Sequence, residues 1–119
     1  MREKKAREAD ALTRRYRRLT ARLGQVGFIA QGTITERTIL RPDPDDPATP
    51  RAYGPYYQWT WKKEGKTVTV NLTASQARAF QHAIDAHRKL DSLLDEMRTL
   101  SKHYLEITTP SVKKRKPPQ

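Results

Sequence analysis

The chain contains no cysteine among its 119 residues. This absence excludes disulfide frameworks, thiolate zinc sites and a cysteine nucleophile. No apolar run approaches the roughly 18 residues of a membrane span, and the N-terminus is charged from Arg2 onward, without the apolar region of a signal peptide. We therefore expect a soluble, cytoplasmic protein that does not contact a membrane.

Motifs of catalysis and of metal binding are also missing. The three histidines, His82, His87 and His103, lack the spacing of a zinc site. The sequence has no nucleophile elbow, glycine-rich phosphate loop or paired carboxylates, and the acidic cluster within residues 43–46 lacks the Asn, Gly and distal Glu of a calcium loop. We predict a protein that is not an enzyme and that carries no cofactor and no metal.

The composition predicts one domain with a small core. Hydrophobic residues make up 35% and charged residues 31% of the chain, so a single domain over residues 1–110 has little apolar material to bury. Residues 111–119 are basic, contain prolines and show no apolar periodicity, and we expect this tail to be disordered.

The formal net charge of +11 is concentrated at the two ends of the chain. Residues 2–23 hold nine basic and three acidic residues, the tail adds Lys113, Lys114, Arg115 and Lys116, and residues 24–110 are nearly neutral. Basic segments at both ends favour a partner of dense negative charge, of which nucleic acid is the commonest. A solubilising tail is the simpler alternative.

The segment 54–72 predicts a β-hairpin around a turn at 63–65. Apolar and polar side chains alternate along it, which is typical of strands with one buried and one solvated face. The predicted buried side carries Tyr57, Trp59, Trp61, Val68, Val70 and Leu72, and the predicted solvated side carries Tyr56, Gln58, Thr60, Lys62, Thr67, Thr69 and Asn71. Gly65 suits the positive φ of a tight turn.

The rest of the sequence predicts two helices, one more strand and a loop. A basic helix is expected over 3–23 and ends before Gly24. Threonine and isoleucine predict a strand over 28–40, and prolines predict an irregular loop over 41–55. Thr73 and Gln76 form a capping box that opens a long helix to about Ile107. The fold class is therefore α+β with a three-stranded antiparallel sheet.

Each helix carries a narrow apolar seam with the 3-4 spacing of coiled coils. The seam of the first helix is Ala9, Leu12, Tyr16, Leu19 and Leu23, and that of the second is Leu90, Leu93, Met97, Leu100, Tyr104 and Ile107. The seams predict an antiparallel helical stalk within one chain. The same pattern is expected if the Leu90–Ile107 seam contacts a second copy of the chain (a homodimer) or a larger protein partner, so this alternative stays open.

Three short strands followed by a helix resemble the three-stranded DNA-binding modules of phage integrase arm-binding domains and of the plant AP2 type. The resemblance is carried by Gly32-Thr33-Ile34, Tyr56-Tyr57-Gln58-Trp59, Gly65-Lys66 and the helix start from Leu72 to Phe80. It implies a sheet whose outward residues contact bases and phosphates in the major groove. Those would be Arg37 and the predicted solvated side of the hairpin, with Lys66 added to it.

The whole chain is also similar to a widespread uncharacterised family of small bacterial proteins that often accompany mobile elements. Gly54-Pro55-Tyr56-Tyr57 and Gly65-Lys66-Thr67 carry this similarity, which covers roughly residues 5–107. The family usually has a cysteine cluster before the Gly-Pro-Tyr-Tyr motif. The corresponding loop here, from Arg41 to Tyr53, has none, so a metal site of the family would be lost.

These observations predict a non-catalytic accessory protein that binds DNA or RNA, as a subunit of a mobile-element or ribonucleoprotein complex. The alternative is a protein-interaction or dimerisation module acting through the helical stalk. The predicted nucleic-acid contacts lie on the first helix, the sheet and the tail: Arg14, Arg15, Arg17, Arg18, Arg22, Arg37, Gln58, Lys62, Lys66, Thr69, Asn71, Lys113, Lys114, Arg115 and Lys116.

Overall fold

The computed structural model describes residues 2–111. Its elements are α1 (Arg2–Leu23), β1 (Thr33–Arg41), β2 (Arg51–Lys63), β3 (Lys66–Leu72) and α2 (Ala74–Thr108). This is the predicted α+β class, with a basic helix, a three-stranded sheet and a long helix in that order. Apart from Ser111, the predicted disordered tail lies outside the described residues.

The chain divides into two compact units. Met1–Val26 and Lys89–Gln119 form one, here called the helical unit, and Gly27–Arg88 form the other, here called the sheet unit. The first part of α2 belongs to the sheet unit and the remainder to the helical unit. The single domain expected over residues 1–110 stays a prediction.

The helical unit is held by the two predicted seams. Leu19, Leu93 and Leu100 are buried in its core, with Leu12, Tyr16, Leu23, Val26 and Met97 packed against them. The helices run antiparallel, because Glu8 contacts His103 whereas Arg15 lies near Asp95 and Glu96. The helical stalk is therefore confirmed, with the seams paired within one chain.

The sheet unit contains an antiparallel sheet of order β1-β2-β3. β2 and β3 are joined by a two-residue turn in which both Glu64 (φ 50°) and Gly65 (φ 78°) have positive φ, as a type I′ turn requires. This turn fixes the register of the hairpin, in which Lys63 lies opposite Lys66 and Trp59 opposite Val70. The predicted division of the hairpin into two faces follows from that register.

The bounds of two strands differ from the prediction. β1 begins at Thr33 instead of residue 28, because the backbone before it bonds elsewhere: the amide of Ala30 donates to the carbonyl of Ala83 in α2 (3.1 Å), and the carbonyl of Gln31 accepts from Trp59 Nε1 (2.8 Å). β2 begins at Arg51, so the loop predicted over 41–55 is confined to 42–50.

One face of the sheet packs against the start of α2. The rings of Trp59 and Trp61 stack with centroids 3.8 Å apart, and Phe80 lies 4.6 Å from Trp59, while Ala77 and Ile84 are buried. The predicted capping box starts this helix: the amide of Gln76 donates to Thr73 Oγ1 (3.2 Å), and the amide of Thr73 donates to Gln76 Oε1 (2.9 Å). On the aromatic side of the hairpin Trp59, Trp61 and Val68 are half-buried, whereas Val70, which was predicted to be buried, is 38% exposed.

Candidate nucleic-acid interface

The second face of the sheet is polar and consists of matched rows across the strands. Thr33, Thr60 and Thr69 form one row, and Thr35, Gln58 and Asn71 form the next. The rows are linked by side chains, because Gln58 Nε2 donates to Asn71 Oδ1 (3.2 Å) and the hydroxyls of Thr60 and Thr69 lie 3.4 Å apart. Opposed side chains of this kind stabilise a sheet and hold each other in place.

Basic and aromatic residues continue the polar rows at both ends. At one end Arg37 lies opposite Tyr56, whose side chain is 46% exposed. At the other end Lys62 lies opposite Thr67, and both are exposed. The predicted positions of Arg37, Gln58, Lys62, Thr69 and Asn71 on one face are therefore confirmed, whereas their contact with nucleic acid stays a prediction.

A β-bulge extends this face beyond the part that the sequence predicts. Gly54 and Pro55 together lie opposite Thr38, so the register shifts between Arg37 and Ile39. Gly54 has φ of 123°, and a Cβ there would lie 3.0 Å from the carbonyl oxygen of Arg37. This close approach requires glycine at the bulge.

Beyond the bulge, the alternation of β1 places Ile39 and Arg41 on the same face as Arg37. Their partners are Tyr53 and Arg51, and the guanidinium of Arg41 lies 5.8 Å from the centre of the Tyr53 ring. We call the complete set the polar face: Thr33, Thr35, Arg37, Ile39, Arg41, Arg51, Tyr53, Tyr56, Gln58, Thr60, Lys62, Thr67, Thr69 and Asn71.

The polar face carries four cationic side chains and no carboxylate among its positions. Arg51 forms an ion pair with Asp43 of the preceding loop (3.3 Å), which relieves its repulsion of Arg41 directly opposite. Cations, amides and hydroxyls on a pleated surface are the groups that contact phosphates and base edges. The arrangement is thus chemically suited to a polyanion with hydrogen-bonding edges.

Lys66 was expected on this face, and that placement was wrong. The register pairs Lys66 with Lys63, and side chains of β3 alternate so that Lys66 shares the face of Val68. Lys66 is exposed near the turn, on the side of Trp61. The prediction failed because Lys66 was added to the outward set although it lies two residues before Val68, and residues two apart in a strand share a face.

The second basic surface lies on α1 in the helical unit. Arg14, Arg15, Arg17, Arg18 and Arg22 are all exposed. Arg14 and Arg18 lie with Lys4 and Arg7 on the side of the helix opposite the apolar seam. We call these four residues the α1 stripe. At 1.5 Å per residue this stripe is about 21 Å long. Unlike the polar face, this stripe consists only of charged side chains and has no amides that could pair with specific bases.

Other predicted or considered sites contribute less. Lys113, Lys114, Arg115 and Lys116 lie outside the described residues. His103 Nε2 lies 2.7 Å from Glu8 Oε1 and bridges the two helices, so it has a structural partner. Asp43 and Asp46 accept hydrogen bonds within their own loop. Among residues 2–111 no cluster of three potential metal ligands occurs, and no helix there is long and apolar enough to cross a membrane.

Arg41, Arg51 and Tyr53 are the residues of this surface that sequence reasoning missed. Their segments were assigned to the proline-rich loop, so their alternation was not considered. The available signal was the order Arg51-Ala52-Tyr53 directly before the hairpin motif, which alternates like a strand. Five prolines within residues 42–55 instead led to the prediction of an irregular loop.

The sequence matches no known protein family, no curated protein and no solved structure. The similarity to three-stranded DNA-binding modules and to the uncharacterised bacterial family therefore stays a prediction.

Proposed function

We propose that this protein is a non-catalytic nucleic-acid-binding accessory protein with two contact surfaces, the polar face of the sheet and the arginine-rich side of α1. The observation that carries the proposal is the polar face itself. It combines four cations with hydrogen-bonded amide and hydroxyl rows, and no acidic residue occupies any of its positions.

The two surfaces have different chemistry and therefore different roles. The α1 stripe offers guanidinium groups, which bind phosphates and supply affinity that does not depend on sequence. The polar face adds Gln58 and Asn71, whose amides pair with base edges, adenine in particular. We infer that α1 contributes mainly strength and that the sheet contributes mainly selectivity.

The shape of the polar face favours duplex DNA as its ligand. Beyond β3 the sheet continues as a two-stranded ribbon, in which Arg37–Arg41 pair with Arg51–Tyr56. A two-stranded ribbon fits the major groove of B-form DNA, about 12 Å wide, whereas the major groove of A-form RNA is too narrow for side chains to enter. Binding to RNA would then use the α1 stripe.

The test is a fluorescence-anisotropy titration of the full chain with duplex DNA and with duplex RNA over a range of salt concentrations. We expect affinity for DNA that falls steeply with salt, by roughly 0.9 in logarithmic slope for each phosphate contact. Absence of binding to either nucleic acid at low salt would refute the proposal.

Neighbouring lysines provide a matched control for the face that binds. Lys62 lies on the polar face and Lys63 on the opposite face, and both are exposed. Lys62→Ala should reduce the salt slope by about 1, whereas Lys63→Ala removes the same charge and should leave the slope nearly unchanged. Equal losses in the two variants would show that net charge alone, without the polar face, explains binding.

A further inference from the structure

The helical unit has an open apolar groove on one flank of its paired helices. The groove has a volume of about 320 Å³ and is lined by Leu12 and Tyr16 of α1 and by Leu100, Tyr104 and Leu105 of α2. The side chain of Leu105 is 55% exposed and that of Tyr104 38%. The predicted seams close the core between the helices, but they leave this flank uncovered.

The polar residues in the groove present little polarity to a ligand. Thr13 and Ser101 complete the lining, and Thr13 Oγ1 donates to the carbonyl of Ala9 in its own helix (2.9 Å). That bond satisfies the hydroxyl donor of Thr13 within its own helix. Among the residues that the structure describes, no Lys, Arg, His, Asp or Glu lines the groove.

The absence of charge among the described lining residues indicates which kind of molecule can bind in the groove. Nucleic acid and acidic protein surfaces gain affinity from cations, and the described lining of the groove offers none to them. Two copies of this chain, with its formal net charge of +11, by contrast, repel each other wherever their basic surfaces meet. An uncharged flank is the surface on which like-charged copies can approach, and on α1 it lies away from the Lys4–Arg18 stripe.

The flank also complements itself. A projecting side chain, Leu105, lies beside a hollow bordered by Leu12 and Tyr16. In a two-fold interface each contact occurs twice, so the Leu105 of each copy can enter the hollow of the other. Two antiparallel helices from each copy would form a four-helix bundle, which would enlarge a core that now buries only Leu19, Leu93 and Leu100 among the described residues of the helical unit.

We propose that a second copy of this chain occupies the groove, giving a symmetric dimer built from α1 and α2 of both copies. Helix segments of about 15 residues are ~22 Å long, so two of them side by side offer roughly 450 Å² per copy. That is below the ~800 Å² per partner of a standard interface. The dissociation constant is therefore expected in the micromolar range.

The first test is sedimentation equilibrium of the full chain, after nuclease treatment and in high salt so that nucleic acid cannot bridge two copies. The mass should rise with concentration from 13.8 kDa toward twice that value. A monomer at all concentrations up to the millimolar range would overturn the proposal, and so would a mass that passes the dimer without a plateau.

Two hydroxyl residues on opposite sides of α2 supply matched variants. Ser101 lines the groove, whereas Thr99 borders the other flank, near Asp95 and Glu96. Ser101→Arg should weaken the dimer at least tenfold, and Thr99→Arg, with the same added charge, should change it less than twofold. Equal effects, or a larger effect of Thr99→Arg, would overturn the assignment of the groove. Circular dichroism checks that both variants keep their helices.

A cysteine-free chain allows a second test that does not depend on a folded arginine variant. A single Leu105→Cys substitution should let two copies be linked by a short bis-maleimide, whereas Thr99→Cys should give little linked product. Linking that is equal at the two positions would refute the groove as the contact. Neither test measures nucleic-acid binding, so the outcome is separate from that of the proposed function.

Discussion

Gly32 is the position at which a single methyl group should damage the sheet unit most clearly. Its φ is 111°, and a Cβ built there would lie 2.4 Å from the carbonyl oxygen of Thr60 and 2.8 Å from Trp59 Nε1. Both neighbours are fixed, one by the β1–β2 ladder and the other by its hydrogen bond to Gln31. Gly32→Ala therefore cannot be accommodated by rotation of a flexible side chain.

The expected destabilisation is about 3 kcal/mol. A positive φ at a residue with a Cβ costs roughly 1–2 kcal/mol, and loss of the hydrogen bond from Trp59 costs about 1 kcal/mol. Backbone displacement at Thr60 accounts for the remainder. Substitutions at two other glycines of the same unit measure the cost of the positive φ separately from the cost of the steric clash. Gly65 has positive φ and open space, and Gly27 has open space without positive φ.

The assay is urea unfolding followed by tryptophan fluorescence. The only two tryptophans, Trp59 and Trp61, both lie in the sheet unit, so the signal reports on that unit. We expect Gly27→Ala to be neutral or stabilising by up to about 1 kcal/mol, Gly65→Ala to cost roughly 1–2 kcal/mol, and Gly32→Ala to cost more than either. Equal effects of Gly32→Ala and Gly27→Ala would show that Gly32 does not lie against Thr60 and that residues 28–32 follow a different path.

Three further predictions concern the turn, the helical core and the polar face. Glu64→Asn should stabilise the hairpin by about 0.5 kcal/mol, because Asn tolerates the positive φ of a type I′ turn better than Glu; a lower urea midpoint would contradict this turn type. Leu93→Ala should destabilise the helical unit by roughly 2–5 kcal/mol, measured by the far-ultraviolet circular dichroism of thermal unfolding, whereas Leu94→Ala at a less buried neighbouring position should cost less. The double variant Gln58→Ala, Asn71→Ala should reduce discrimination between DNA sequences more than it reduces affinity, as measured by competition titrations. An unchanged sequence preference would show that these amides do not contact bases.

Much of the fold follows from local patterns in the sequence. The 3-4 spacing of Leu12, Tyr16 and Leu19 predicted a buried side of α1 because a helix brings such residues onto one stripe. The alternation from Tyr57 to Trp61 predicted two faces of β2 because a strand has a period of two. Thr73 and Gln76 predicted the start of α2 because their side chains satisfy amides that a helix leaves free. Each of these signals lies within a few neighbouring residues.

The features that sequence reasoning missed depend on contacts between distant residues. Residues 28–32 have the composition of a strand, but the amide of Ala30 bonds to α2 and not to β2. Similarly, Arg51 and Tyr53 join β2 because a bulge at Gly54 and Pro55 restores pairing with β1. Local propensity does not determine either pairing, since the hydrogen-bond partners are 10 to 53 residues away. The extent of the candidate interface could therefore not be obtained from the hairpin pattern alone.

The hydrogen bond between Gln58 and Asn71 also determines how the effects of these residues should combine. One hydrogen bond joins the two amides, which restricts their rotation and leaves Gln58 Oε1 and Asn71 Nδ2 to pair with a base edge. Removal of one amide leaves the other free to rotate. The single variants Gln58→Ala and Asn71→Ala should therefore each lose nearly as much selectivity as the double variant, which is the non-additivity expected of residues that act as a unit. If the two losses instead simply add, the amides contact DNA independently, and the cross-strand bond has no part in recognition.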